Sequence, residues 1–132
     1  YRDVAEATAR LAVLAAWTAQ PPAPPLRPFV LGVEHVATAA LIGHVGLSAA
    51  GGSVEIGYGI ADAWQGQGLA TEAVAAVATW ALAALGLPEV LGIVAADNPA
   101  SIAVLTKAGF APDLAATADA PQRVYRRVPA PR

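Results

Sequence analysis

The chain contains no cysteine, which excludes a disulfide framework, a thiolate nucleophile and a sulfur-ligated zinc site. Charge is scarce too, with 8 Lys and Arg against 10 Asp and Glu for a formal net charge of -2. The clustered cations that neutralise a phosphate backbone are missing, so nucleic acid is not an expected partner. Aromatic residues number only 3 Trp, 3 Tyr and 2 Phe, so alanine and aliphatic side chains must fill the core, which favours closely packed helices over large cavities. The longest uncharged stretch worth testing as a membrane span, Ala73 to Leu87, falls short of the roughly 18 residues that one needs and runs into Pro88. His35 and His44 lack the cysteine or tight carboxylate spacing of a metal site, so no metal is expected. No basic stretch leads into an apolar run and cleavage site at the N-terminus, which makes cytoplasm the expected compartment. A start at Tyr1 points to trimming.

What is present fits one domain. A chain of 132 residues hides roughly two thirds of its unfolded surface on folding. Residues 1–20 form an expected amphipathic helix, with Asp3 as N-cap and Val4, Ala7, Leu11, Leu14 and Ala15 at helical spacing. Residues 21–28, with Pro21, Pro22, Pro24, Pro25 and Pro28, form an extended connection. Residues 29–128 then hold a sheet-and-helix core. Phe29 to Glu34, Leu41 to Ser48 and Val54 to Ile60 are apolar or β-branched runs joined by short segments, including a Gly51-Gly52 turn, and predict an antiparallel meander. His35 reads as a turn residue. Gly68 to Leu85 predicts a helix with Leu69, Val74, Val77, Ala81 and Leu85 inward, stopped by Gly86 and Pro88. Glu89 to Ala96 is a further strand, reached through a whole helix and therefore free to run parallel. Asp97 or Asn98 caps a second helix with Pro99 in its first turn, ending at Gly109. A loose segment from Ala111 to Pro121 leads to a final strand, Gln122 to Val128.

The chemistry centres on Gln65-Gly66-Gln67-Gly68-Leu69-Ala70. Its glycines let the backbone approach an anion, while the helix that follows aims orphan N–H groups and its dipole at the same point. A pyrophosphate satisfies such donors; a plain glycine-rich turn before a helix has the same appearance. A dinucleotide fingerprint fits poorly, because Ala61 to Trp64 intervene after the strand and Glu89 opens the next one instead of closing it. A Walker loop needs Gly-Lys-Ser/Thr, which is absent.

The loop resembles the pyrophosphate loop of the GNAT superfamily of acyl-CoA N-acyltransferases, Gln/Arg-x-x-Gly-x-Gly/Ala, with Gln65, Gly68 and Ala70 in place. The resemblance extends to Val54-Glu55-Ile56-Gly57-Tyr58-Gly59-Ile60 before it, to Asn98-Pro99-Ala100-Ser101-Ile102 after it, and to Lys107-Ala108-Gly109-Phe110. Ile42-Gly43-His44-Val45-Gly46-Leu47 looks most like the RimJ/RimL-type branch, which acetylates protein N-termini and related amines. The resemblance implies an α/β fold with a mixed sheet and flanking helices, a coenzyme wedged between two splayed parallel strands, and acetyl-CoA as cosubstrate. It implies an amine-bearing peptide or small molecule as acceptor, attacking the thioester directly. The family's usual first strand and helix are not found here, so the Phe29 to Glu34 strand is expected at a sheet edge, which a homodimer would cover.

Carried over residue by residue, the coenzyme-binding positions are Gly59, Ile60, Gln65, Gly66, Gln67, Gly68, Leu69, Ala70, Thr71, Asn98, Ser101 and Lys107. An amide near Gly59 or Ile60 would face the thioester oxygen. Asn98 would bond pantetheine amides or cap its helix, and Lys107 would reach the coenzyme phosphates or stay solvated. Glu55 stands where some members place a general base acting through water, or is an outward-facing strand carboxylate. An α-amine needs only about 1 kcal/mol to lose its proton at neutral pH, against about 4 to 5 for lysine. The departure is Leu105, where many members carry the tyrosine that protonates the thiolate. Ser101 is the substitute acid, or an ordinary first-turn serine. His44 is either packed or substrate-facing, and Trp64 and Trp80 read as packing residues ahead of ligand-stacking ones, with Trp64, which abuts the loop, the better candidate for stacking. The alternative to an enzyme is a catalytically silent acyl-CoA-binding module.

Overall fold

The computed structural model describes residues 29–114 and 121–131. The helix and proline-rich connection expected over residues 1–28 lie outside the described residues, as does most of the segment expected to be loose. Apolar runs build three neighbouring strands, β1 (Phe29–His35), β2 (Ala40–Ala50) and β3 (Ser53–Ile60). They pair antiparallel in sequence order, as short connections require. Gly51 and Gly52 have φ of +54° and +82°, the two positive values of a hairpin turn whose twist matches its strands. His35, expected in a turn, is instead the last residue of β1, paired with Ala40; its Nδ1 lies 3.0 Å from Thr38 Oγ1 and braces the turn that starts after it.

Helix α1 (Leu69–Ala84) crosses over to β4 (Val90–Ala95), which lies parallel to β3. The helix buries Val74, Val77, Ala78, Ala81 and Leu82, an i, i+3, i+4, i+7, i+8 stripe. Leu85, also expected inward, is half-buried and packs against the core, and Leu69 at the first turn is half-buried. Ala78 and Ala81 are wholly inaccessible, so small side chains let the helix approach the sheet closely, as the composition suggests. Gly86, at φ +63°, ends the turn that Pro88 prevents from continuing.

Helix α2 (Pro99–Lys107) follows, then β5 (Ala111–Pro112) and β6 (Gln122–Arg127). Ala111 and Pro112, expected to be loose, pair with Arg126 and Tyr125 and form a two-residue edge strand. The single sheet runs β1-β2-β3-β4-β6-β5. Among the described residues β1 is one edge of it. Two arginines lock the far end. Arg126 pairs with Glu89 and Asp113, while Arg127 donates to the carbonyls of Ala75 and Ala108, both at 3.2 Å, and to Thr79 Oγ1 at 2.8 Å. Arg127 thereby satisfies helix carbonyls on α1 and at the α2 terminus from one strand.

The centre of the sheet is less continuous than its flanks. β3 stays paired with β2 from Ser53 to Ile60, and β4 with β6 from Val90 to Ala95. Between β3 and β4 the ladder holds one pair, Glu55 with Leu91. Beyond it the parallel strands part. Near the open end β2 and β3 approach unusually closely: a Cβ at Gly43 would stand 2.1 Å from the Gly59 carbonyl oxygen, whereas one at Gly57 meets nothing within 4 Å. Backbone cannot yield as a side-chain tip can, so Gly43→Ala is expected to lower stability by about 2–3 kcal/mol, and Gly57→Ala by no more than about 0.5 kcal/mol. Urea unfolding of the two variants checks this; coincident midpoints would refute the close approach.

Candidate functional site

The parted strands open into a cavity of about 560 Å³, within the range of small-molecule sites. Its walls are β3, the segment leading to α1, the first turn of α1, and one face of α2. Period-two alternation on β3 decides which side chain faces it. Val54 and Ile56 enter the core on the helix side. Tyr58, two residues on, lines the cavity. Glu55, Gly57 and Gly59 have the opposite parity.

One wall is built for an anion. After a single 3₁₀ turn, Asp62–Trp64, Gly66 and Gly68 take φ of +79° and +76°, conformations that favour glycine. A Cβ on either would meet nothing within 4 Å, so it is the backbone conformation and not crowding that favours glycine at both. Gly68 is the N-cap of α1 and offers no side-chain acceptor. The first helical bond runs from Glu72 N–H to Gly68 O at 3.1 Å, which leaves the amides of Leu69, Ala70 and Thr71 without helical acceptors, in the cavity wall. These donors and the helix dipole fit a phosphate group.

The Gln65 side chain turns away from that cradle. Its Nε2 donates to the Ile60 carbonyl at 3.0 Å and to Asp62 Oδ1 at 3.3 Å, so it clamps the end of β3 to the loop. The other wall is the start of α2. Asn98 caps it by accepting from Ser101 N–H at 3.2 Å, and Pro99 stands in the first turn, where its missing N–H costs nothing. Lys107, exposed at the last turn of α2, reaches the same cavity.

Of the residues expected to hold a coenzyme, Gly59, Ile60, Gln65, Gly66, Gly68, Leu69, Ala70, Thr71, Asn98, Ser101 and Lys107 line this one cavity; Gln67 does not. Glu55 is also outside it, at the pair where the strands are still joined, about 13 Å along the strand from Gly59 at roughly 3.3 Å per residue. His44 packs its ring over Gly59: a Cβ there would lie 2.8 Å from Cε1. Trp64 lines the cavity and meets the His35 ring at a centroid distance of 4.6 Å. Trp80 is partly exposed on α1.

Tyr58 is the residue that motif matching passes over. Its hydroxyl donates across the split to the Ser101 carbonyl at 3.5 Å, a long bond near the limit of the interaction. Burial raises its pKa, partly offset by that bond. The signal available beforehand was parity alone, since Tyr58 is two residues beyond Ile56 on a strand that must be apolar on one face.

Residues 1–111 match the family described as acetyltransferase (GNAT) domain, and the chain belongs to that family. The mixed sheet with its flanking helices is the GNAT fold. An acetyltransferase from Agrobacterium tumefaciens str. C58 is 28% identical with a TM-score of 0.69, the match covering 77% of this chain and 61% of that one. A chimeric spermidine N-acetyltransferase from Vibrio cholerae is 25% identical with a TM-score of 0.59, covering 75% and 64%. A ribosomal-protein-S5-alanine acetyltransferase from Vibrio fischeri, 19% identical, shares the fold with a TM-score of 0.65 over 93% of this chain and 69% of that one. This chain thus spans under two thirds of the length of the first two. No curated protein matches it significantly.

The Asn98 cap is separable from ligand contact. Asn98→Ala removes the acceptor for Ser101 N–H and should cost about 1 kcal/mol, whereas Asn98→Ser should recover most of it. Thermal unfolding of both variants without ligand measures the difference, and an Ala variant as stable as the parent would show that the cap is unimportant.

Proposed function

We propose that this chain is an acetyl-CoA-dependent N-acetyltransferase of the RimJ/RimL-type branch, moving an acetyl group to a primary amine by direct attack on the thioester. The observation that carries this is the coincidence, in one cavity, of a split between parallel strands and a glycine-lined helix N-terminus. Pyrophosphate needs the second, and the amide-bearing pantetheine arm needs the first, because it can pair with backbone groups that the split leaves without a ladder. No other arrangement among the described residues offers both.

In this reading Gly66, Gly68 and the amides of Leu69, Ala70 and Thr71 hold the pyrophosphate, with Gln67 at the loop's outer side and Gln65 fixing its shape. Asn98 serves the pantetheine as well as its helix, and Lys107 adds positive charge for the phosphates. The Gly59 and Ile60 backbone faces the thioester oxygen, so negative charge growing there in the transition state meets a fixed donor. Glu55 acts through water as base on an amine that approaches the sheet face opposite α2, and Ser101 offers a hydroxyl at the leaving-group side. The acceptor is a protein N-terminus or a small-molecule amine. Spermidine and a ribosomal-protein alanine are the acceptors in the names of two similar structures, and both are amines. A cytoplasmic site suits such acceptors, and a second copy on the β1 edge would cover its open backbone.

Calorimetric titration with acetyl-CoA tests the site. The parent chain should bind, and Gly68→Asp, which adds a charge and a side chain at φ +76°, should weaken binding at least 100-fold, roughly 2.7 kcal/mol. Undiminished affinity would remove the proposed cradle. Thiol release with a panel of peptide and small amines tests the reaction, and tight binding without turnover on any of them would favour the silent acyl-CoA-binding module.

A further inference from the structure

Leu105 occupies the position at which many family members keep a proton-donating tyrosine, and its surroundings explain why no hydroxyl belongs there. The side chain is 1% exposed and fills the space above Gly92, where a Cβ would stand 2.6 Å from Cδ2. It is committed to packing α2 on β4 and takes no part in the cavity wall. Any hydroxyl that serves the cavity must come from another position.

Three side chains of the cavity wall carry one: Tyr58, Thr71 and Ser101. Thr71 is on the phosphate side, in the first turn of α1. Tyr58 immediately precedes Gly59 on the strand that borders the split, and its ring reaches across to the first turn of α2. A phenol, with an ordinary pKa near 10, is a far stronger acid than the aliphatic hydroxyl of Ser101. Its present acceptor is a neutral carbonyl at 3.5 Å, a bond that a thiolate, as a charged acceptor, would outcompete.

We propose that the Tyr58 hydroxyl meets the coenzyme sulfur and gives it a proton, taking the part that Leu105 cannot play. The inference rests on the acyl-CoA reading of the cavity. In the step, the acceptor nitrogen bonds to the thioester carbon, the carbon–sulfur bond breaks with its electron pair on sulfur, and the Tyr58 proton moves to that sulfur. The acceptor nitrogen loses one proton to solvent, directly or by way of Glu55, and the tyrosinate regains one from solvent, so no proton is left over. Burial raises the pKa of the phenol, which keeps it protonated but makes it a weaker acid than an exposed tyrosine, and the bond with Ser101 works the other way. Lys107 is the one charged side chain of the cavity wall among the described residues, and it lies two turns along α2 from the end that Tyr58 meets.

The contact can be read without turnover and without knowing the acceptor. At pH 9 a thiol of pKa about 8.5 is largely ionised while the phenol keeps its proton, so the bound pair is a charge-assisted hydrogen bond. Calorimetry should find coenzyme A binding the parent chain roughly 10-fold or more tightly than desulfo-coenzyme A. In Tyr58→Phe that ratio should fall to about one, with desulfo-coenzyme A binding unchanged. Acetyl transfer by the variant should drop roughly 100-fold or more at an unaltered KM for acetyl-CoA. A ratio of one in the parent chain overturns the proposal without recourse to any variant. So does a ratio that survives Tyr58→Phe, which would give the sulfur to Lys107 or Ser101, or a loss of desulfo-coenzyme A binding, which would make Tyr58 a wall of the cleft only. Failure of both ligands to bind the parent chain would instead sink the acyl-CoA reading, and this inference with it.

Discussion

Everything in the site follows from one break in the sheet. β3 and β4 share a single bridged pair, Glu55 with Leu91, yet each is fully paired on its outer side. Two strands held from outside but released from each other present facing rows of unpaired N–H and C=O groups inside the molecule. Such groups are costly when dry and unsatisfied, so the gap must be filled by water, by a side chain or by an extended ligand with amides of its own. Tyr58 links β3 to the first turn of α2 beside the gap, by a long bond. The split is therefore held open by the frame around it. The β2–β3 hairpin, its turn set by Gly51 and Gly52, anchors one side, and the arginine contacts of β6 anchor the other.

The same break gives the glycine loop its place. A strand continuing straight into a helix would put the helix start at the sheet edge, whereas here Asp62–Trp64 and two left-handed glycines carry the chain around the mouth of the gap. Gln65 stabilises that path from within, through the Ile60 carbonyl. An amide side chain at this position thus holds a backbone carbonyl and fixes the course of the loop. The free donors come from the backbone, and a chain carrying little charge needs no cationic side chain in the loop to offer an anion site.

Much of this was legible in the sequence where a residue type has few roles. Gly51-Gly52, Gly66, Gly68, Gly86, Asn98 and Pro99 each demand a particular backbone geometry, and each is found in it. The meander and the crossover followed from connection length. What escaped depends on contacts distant in sequence. His35 was claimed by β1 through pairing with Ala40, and Ala111–Pro112 gained strand character only because β6 passes beside them. The inward stripe of α1 holds at Val74, Val77 and Ala81 and gains Ala78 and Leu82 beside them, because a run of alanines does little to mark how wide the buried face will be before packing chooses. Gln67 shares the loop motif but turns out of the cavity, since neighbours in a tight turn point different ways.

Leu105 shows how packing and chemistry compete for one position. Gly92 leaves a hollow in β4, and a leucine fills it so closely that a Cβ there would clash with both of its methyl groups, at 2.6 and 2.8 Å. An aromatic residue at 105 would either empty that hollow or push α2 away from the sheet, and overpacking of this kind costs about 1–3 kcal/mol. Moving α2 would also carry Asn98 and Ser101 away from β3 and widen the gap that Tyr58 spans. The leucine thus keeps α2 close enough for a phenol on the facing strand to reach its first turn.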